Sequence, residues 1–359
     1  MQENLEKTLS QLVSIPSVSS NSAACHEILK LVRGKFDGLN LYIHENCDTP
    51  NPWFLATTQN TMTPDILLLA HLDVVPASPE MFTIQKTDGR LYGRGSYDMK
   101  FAAACYLEFI KNHADKLSNL NIGFLITTDE EIGGACIADV FALGLRPKVA
   151  FIPDGGGDWK IEERAKGLLG IEFIANGKSA HGSRPWEGEN ALHRLMDALQ
   201  MLRNAYPLTS SDDSTLTINT LNAGNAINQI ADYAVATADF RTFSLDELNL
   251  CRSLAAQIAE EYSLEFTISH EGYPLLLDKN SPYVTPFLDA YRKQRGGEPE
   301  YVESYGATDG RHFAEYDIPC IITEPYGHGR HADEEWLLAE DLGNYYKLIE
   351  RWLLPQQSL

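Results

Sequence analysis

The chain has 359 residues, of which 44% are hydrophobic and 22% charged, and its formal net charge is -21. That length exceeds one ordinary hydrophobic core, so two domains are expected. The acidic balance and the lack of any Lys/Arg run argue against nucleic acid and anionic membrane surfaces as partners.

The opening stretch, MQENLEKTLSQLVSIPSV, has Glu and Lys where a signal peptide needs an apolar core. No stretch approaches the roughly 20 apolar residues that span a bilayer. Six cysteines lie far apart without a C-x-x-C pair, which favours reduced, buried thiols over a disulfide framework or a thiolate zinc site. These features together predict a cytoplasmic enzyme.

The first 165 residues alternate helical and strand-like patterns. Leu5, Leu9 and Leu12 mark the apolar face of an opening helix, and a second helix is predicted over 28–36. Apolar strands interleaved with helices imply a mostly parallel sheet covered on both faces. A further helix is predicted over 99–114, and strands are predicted over 41–45, 53–58, 65–70, 121–128 and 148–153.

The pattern changes between 166 and 273, where strands and helices follow in the order β-α-β-β-α-β. The second of these helices begins with Ser244 and Glu247 in capping-box spacing. This order is typical of a split βαβ, or ferredoxin-like, domain. The expected fold class is therefore α/β. A mostly parallel sheet flanked by helices is formed by 1–165 and 274–359, and an α+β domain is inserted between these two parts.

Ionisable residues directly follow the strands of the predicted parallel sheet. The carboxyl ends of parallel strands meet at one edge, where ligands bind in open α/β sheets, so these residues are expected to converge. Crowded carboxylates repel each other unless a cation lies among them, and histidines with several carboxylates suit a hard-to-borderline metal ion. The pattern therefore predicts divalent ions with a carboxylate bridging two of them. The residues concerned are His71, Asp73, Asp129, Glu130, Glu131, Asp154, His328 and His331, with Asp98 just before the helix over 99–114.

Each of these residues alone has a simpler interpretation. His71 could be a hydrogen-bonded residue at a strand end, and Asp154 could be a turn former before three glycines. The Glu130–Glu131 pair could lie on a solvated surface. The coincidence of such residues at four strand ends favours the metal site.

Seven segments of the chain resemble the co-catalytic zinc amidohydrolases, a family that includes acetylornithine deacetylase, succinyl-diaminopimelate desuccinylase, aminoacylase and several dipeptidases. The resemblance spans nearly the whole chain. The order and spacing of the segments are specific to that family, whereas each segment alone is a modest signal. The segments are HLDVVP, GRGSYDMK, TTDEEIGG, PDGG, GKSAHGSRPWEGENAL, GATDGRHF and HGRHADEEW.

The resemblance implies two zinc ions per subunit, with cobalt or manganese as possible substitutes. One ion would be held by His71 and Asp154, the other by Glu131 and His331, and Asp98 would bridge both. His331 is preferred over His328 because the last ligand of the family is followed four residues later by a glutamate, here Glu335.

The resemblance also assigns catalytic roles. Glu130 would be the general base, which takes a proton from an ion-activated water and returns it to the departing amine. Asp73 would orient His71. The peptide bond after Asp98 is expected to be cis.

The inserted domain would then be a lid and a dimerisation domain. His181 would stabilise the tetrahedral oxyanion, often from the other subunit of a homodimer, or else have a local structural role. Arg241 would bind a substrate carboxylate, or else pair with a nearby Asp or Glu. The remaining predicted substrate residues are Asn228, the backbone of Gly306, Ala307 and Thr308, and Arg311, which with Asp309 would fix that loop.

The segments favour a small-molecule substrate and leave its class open. Desuccinylases and acetylornithine deacetylases typically have Glu at the position of Asp154, whereas many dipeptidases have Asp. The GATDGRHF loop is closer to the desuccinylases. The first hypothesis is an N-acyl-amino-acid deacylase, the second a dipeptidase or exopeptidase, and the third a non-catalytic protein that binds amino-acid derivatives.

Overall fold

The computed structural model describes residues 1–206, 214–306 and 308–354. They form two compact units. The first contains Met1–Glu163, Leu276–Ser304 and the chain from Thr308 onward, and the second contains Arg164–Leu275 with Tyr305 and Gly306. The predicted domain limits at 166 and 273 each lie two residues inside the second unit.

The described residues form both helices and strands. The helices are α1 (Gln2–Val13), α2 (Ser22–Arg33), α3 (Lys100–Asn112), α4 (Ala135–Ala142), α5 (Ala191–Ala205), α6 (Leu245–Glu261), α7 (Thr285–Arg295), α8 (Gly310–Ala314) and α9 (Ala339–Leu353). The strands are β1 (Tyr42–Asn46), β2 (Trp53–Thr57), β3 (Ile66–His71), β4 (Gln85–Thr87), β5 (Arg90–Tyr92), β6 (Ile122–Thr127), β7 (Val149–Ile152), β8 (Ile161–Ala165), β9 (Gly167–Asn176), β10 (Thr215–Ala223), β11 (Tyr233–Thr242), β12 (Glu265–Gly272), β13 (Leu275–Leu276), β14 (Tyr301–Ser304), β15 (Cys320–Ile322), β16 (Gly327–His328) and β17 (Trp336–Leu338).

The main sheet of the first unit has the strand order β1-β2-β6-β3-β7-β15. Strands β6, β3, β7 and β15 are parallel to one another, and β2 is antiparallel to both of its neighbours. The α/β fold class is therefore confirmed, with β15 returning to the first sheet as predicted. Because the parallel strands run in one direction, the residues that follow them arrive at one edge of the sheet.

The helices of the first unit mostly follow the predicted patterns. Helix α1 buries Leu5, Leu9 and Leu12 in the core. The prediction for the second helix was wrong at both ends, because α2 begins at Ser22 and ends at Arg33. The Asn21 side chain accepts a hydrogen bond from the Ala24 amide and starts the helix earlier than the apolar spacing indicates.

The second unit has its own sheet and its own core. Its four antiparallel strands have the order β10-β11-β9-β12, the ferredoxin-like arrangement, and α5 and α6 pack against them. The Ser244 hydroxyl accepts a hydrogen bond from the Glu247 amide (3.3 Å) and caps α6 as predicted. None of the helices in the described ranges is long and apolar enough to cross a membrane.

Candidate metal centre

The five predicted metal ligands come together at the carboxyl edge of the main sheet, all within the first unit. They form two groups of three, His71–Asp98–Asp154 and Asp98–Glu131–His331, and the ligand atoms within each group lie within 4.8 Å of one another. Asp98 belongs to both groups. Its Oδ1 lies 3.2 Å from His71 Nε2, and its Oδ2 lies 3.2 Å from His331 Nε2. Asp98 is thus placed to bridge two ions.

The tautomer of His71 is determined by its contacts. Its Nδ1 lies 3.0 Å from the backbone carbonyl oxygen of Asp73, which can only accept a hydrogen bond. Nδ1 therefore carries a proton, and Nε2 is the ring nitrogen left for a metal ion. That atom is buried and has no hydrogen-bond partner among the described residues. A buried imidazole lone pair facing a carboxylate is a donor suited to a metal ion.

The Asp73 carboxylate also holds the backbone at Glu130 and Glu131, a role that the sequence did not indicate. Its Oδ1 lies 3.5 Å from His71 Nδ1 and accepts a hydrogen bond from the Glu130 amide at 3.2 Å. Its Oδ2 accepts from the Glu131 amide at 3.2 Å and from the Ser19 hydroxyl at 2.8 Å. One fully buried carboxylate therefore positions a candidate ligand and also the two residues predicted to be base and ligand.

Glu335 positions the loop that carries Asp98. This fully buried carboxylate accepts hydrogen bonds from the backbone amides of Gly95 (3.0 Å), Tyr97 (2.8 Å) and Asp98 (3.0 Å). It also pairs with the buried Arg94 guanidinium at 2.7 Å. The Asp98–Met99 peptide bond is cis, as expected. The sequence pattern indicated only the spacing of Glu335 from His331 and gave no sign of this role.

The candidate ligands perturb one another electrostatically. Burial raises the pKa of Glu131 to about 7, with the nearby His71 acting in the opposite direction. Burial and the charges of Asp154 and Asp309 raise the pKa of Glu130 well above its usual range. Burial opposes the charged form of His71, but Asp73 and Asp98 raise its pKa well above the ordinary value. Carboxylates that are buried this close together need a positive charge to compensate them.

These features fit divalent metal ions. Imidazole nitrogens and carboxylate oxygens are the ligands that zinc takes in hydrolytic sites, and a cation between the carboxylates would relieve their repulsion. His71 and Asp154 would hold one ion, Glu131 and His331 the other, and Asp98 would contact both.

Residues 67–354 of this chain match the sequence model of peptidase family M20/M25/M40. The chain belongs to this family. It is therefore an amidohydrolase, and M20 enzymes depend on metal ions, which agrees with the donor groups described above. The predicted family resemblance is confirmed.

The similarity of this M20 protein to its relatives extends over their whole length. A succinyl-diaminopimelate desuccinylase of Hahella chejuensis is 26% identical over 396 residues, which cover 98% of this chain and 98% of the relative. Among solved structures, a tripeptidase of Staphylococcus aureus has a TM-score of 0.77 at 20% identity, with 98% of each chain covered. An aminopeptidase of Bacillus cereus has a TM-score of 0.75 at 21% identity, again with 98% of each chain covered.

Within the second unit, the segment that carries His181 is hydrogen-bonded to the segment that carries Asn228. The Gly182 amide next to His181 donates to the Asn228 carbonyl at 2.7 Å, and His181 forms a bridge with Gln229. His181 is exposed, and its Nδ1 lies 2.8 Å from the Ser183 hydroxyl. The two segments that carry His181 and Asn228 are therefore held together.

Arg241 lies in β11 of the second unit. Its Nε donates to Asp239 Oδ1 at 2.7 Å, which is the pairing named above as the alternative to substrate binding. Its side chain remains 30% exposed. The guanidinium therefore has an internal partner, and a substrate carboxylate would have to share it.

The predicted substrate loop is divided between the two units. Gly306 belongs to the second and Thr308 to the first, while Ala307 lies outside the described residues. Arg311 donates to the Gly133 carbonyl at 2.8 Å, so it fixes the loop after Glu130 and Glu131. Its Nη1 also donates to the Thr308 carbonyl at 3.3 Å, a contact within the predicted substrate loop.

Proposed function

We propose that this M20 enzyme hydrolyses the amide bond of an N-acyl-amino acid, using two zinc ions per subunit. The observation that supports this proposal is the pair of three-residue groups that share Asp98. A single shared carboxylate with one histidine facing each of its oxygens is suited to two adjacent ions. His328, the other candidate histidine, belongs to neither group.

The residues of the chain would divide the reaction between them. Bound zinc would polarise the amide carbonyl and lower the pKa of a water molecule toward neutrality. Glu130 would accept the proton of that water and deliver it to the departing amine, because burial among carboxylates raises its proton affinity. Asp73 would keep Glu130 in place by holding its backbone amide.

The second unit would supply the remaining contacts. His181 would donate a hydrogen bond to the oxyanion that forms at the attacked carbonyl, and Arg241 would bind the substrate carboxylate. A homodimer formed through this unit is part of the proposal, because an exposed His181 could then act in the neighbouring subunit. Cytoplasmic location remains a prediction.

A dipeptidase is the second candidate. The favouring observation is Asp154, the shorter carboxylate that dipeptidases of this kind carry, together with the fold likeness to a tripeptidase and an aminopeptidase. The desuccinylase relatives support the first candidate. The non-catalytic alternative disagrees with the family of the chain, and Glu130 and all five candidate ligands are present.

The assay that tests the proposal compares substrate classes on one preparation. Purified protein is stripped with a chelator, reloaded with zinc, and given acetyl- and succinyl-amino acids alongside dipeptides. Release of acetate or succinate that is lost on stripping and restored on reloading supports the proposal. Turnover of dipeptides alone would establish the second candidate, and no dependence on a metal ion would refute both.

A further inference from the structure

Arg330 lies beside the candidate metal ligands and is paired on two sides. Its Nη1 lies 2.7 Å from Asp154 Oδ1, and its Nη2 pairs with Glu324. The Tyr97 hydroxyl donates to Glu324, and the guanidinium carbon lies 5.5 Å from the centre of the Tyr97 ring. Arg330 is thus fixed by an acid at each end of its guanidinium and an aromatic ring.

The two acids are buried, whereas the Arg330 side chain is 31% exposed. Asp154 is 4% exposed and Glu324 is 3% exposed. Arg330 Nε is also buried and has no hydrogen-bond partner within the described part of the chain. A guanidinium that is paired with a buried acid at each end is held in one geometry, so Arg330 does not behave as a mobile surface arginine.

Among the candidate ligands, Arg330 pairs directly with Asp154, which belongs only to the His71–Asp98–Asp154 group, although its charge also acts on the shared Asp98. With Oδ1 of Asp154 bound to Arg330, the other oxygen of Asp154 is left for an ion. A fixed positive charge then lies next to the His71–Asp98–Asp154 group, and like charges repel strongly in a buried site. The nearby Arg94 is different, because its partner at 2.7 Å is Glu335, which is not one of the candidate ligands.

We propose that Arg330 is a positioning residue that makes the two ion positions unequal. It holds Asp154 in place and its charge weakens ion binding at the His71–Asp98–Asp154 position, so that the Asp98–Glu131–His331 position fills first. The inference rests on the proposed two-ion function. It attributes the unequal filling of the two ion positions to a single residue beside the candidate ligands.

The test measures zinc affinity at each position separately. A Glu131→Ala background leaves the His71–Asp98–Asp154 position, and a His71→Ala background leaves the other. Zinc dissociation constants are measured by calorimetry and by metal analysis in zinc-buffered solutions, without reference to activity. In the first background, Arg330→Gln should tighten zinc binding by about tenfold because the repelling charge is gone. In the second background, the change should stay within about threefold.

Further variants distinguish the effect of the Arg330 charge from a general loss of structure. Arg330→Lys keeps the charge but loses the two-ended pairing, so an affinity within about threefold of its parent assigns the effect to the charge. Arg330→Met keeps the unbranched apolar part of the side chain without the charge and replaces Arg330→Gln if that variant does not fold. Arg292→Gln is the matched control, because Arg292 also contacts two acids, Glu298 and Asp289, but on the surface.

The outcomes distinguish the two proposals. Tighter zinc binding in Arg330→Gln or Arg330→Met, confined to the Glu131→Ala background, supports the inference. Unchanged or weaker binding there overturns it and leaves the two-ion proposal intact. If the unaltered chain binds fewer than two zinc ions, the proposed function itself fails.

Discussion

Replacing Glu335 with glutamine tests how the bridging ligand is positioned. The carboxylate accepts three backbone hydrogen bonds from Gly95, Tyr97 and Asp98 and pairs with Arg94. Glutamine has nearly the same shape but keeps only one accepting oxygen. Its amide nitrogen would therefore face hydrogen-bond donors on one side.

The expected loss follows from those contacts. Each hydrogen bond to a charged group contributes about 1.5–3 kcal/mol. Arg94, which is 2% exposed, would lose its buried partner, and breaking a buried ion pair costs about 3–5 kcal/mol. Part of the first cost is contained in the second, so we expect the free energy of unfolding to fall by about 3–5 kcal/mol. The loop that carries Asp98 would also lose hydrogen bonds that hold its backbone.

Denaturant unfolding and metal analysis measure the two consequences. The Glu335→Gln protein should unfold at lower denaturant and retain less than one zinc ion after dialysis against a zinc buffer that saturates the parent. Glu334→Gln, next in the chain and exposed, is the matched control and should match the parent in both. A Glu335→Gln protein with parental stability and zinc content would refute this account of Asp98.

Three further predictions concern the same chain. Glu130→Gln should keep its zinc and lose about 10²–10⁴-fold in kcat; loss of zinc, or retained turnover, would contradict the base assignment. Burial raises the pKa of Glu162, Glu324 and Asp309 to about 7, so the folded ion-free chain binds more protons than the unfolded chain between about pH 4.5 and 7. Its Tm should therefore fall as pH rises from about 5.5 to 7, and a rising Tm would contradict these shifts. His181→Ala should lower kcat at unchanged zinc content, which kinetics with metal analysis can check.

The sheet and the ligand positions could be predicted because each depends on local sequence. Strand β3 is an apolar run that ends at His71, and Asp73 follows two residues later. Buried parallel strands have this pattern, and their carboxyl ends define one edge of the sheet. The convergence of His71, Glu131 and Asp154 could therefore be predicted without knowing any contact.

Contacts between distant segments could not be predicted in this way. The pairing of Arg330 with Asp154 and Glu324 depends on side-chain directions that no spacing encodes. The same holds for Asp73, whose carboxylate bonds to the amide of Glu130. Strands such as β16 and β17 have two or three residues, too few for any periodicity to be recognised.

The anchoring of Asp98 by Glu335 has a consequence for how the enzyme matures. His71, Asp98 and Asp154 are all synthesised before the inserted unit, yet the loop of Asp98 is fixed by a residue near the end of the chain. A ribosome-bound chain that stops within the inserted unit would already contain His71, Asp98, Glu131 and Asp154, four of the five candidate ligands, without their final arrangement. Full capture of the ions is therefore expected only after the last segment has been released and has folded onto the rest.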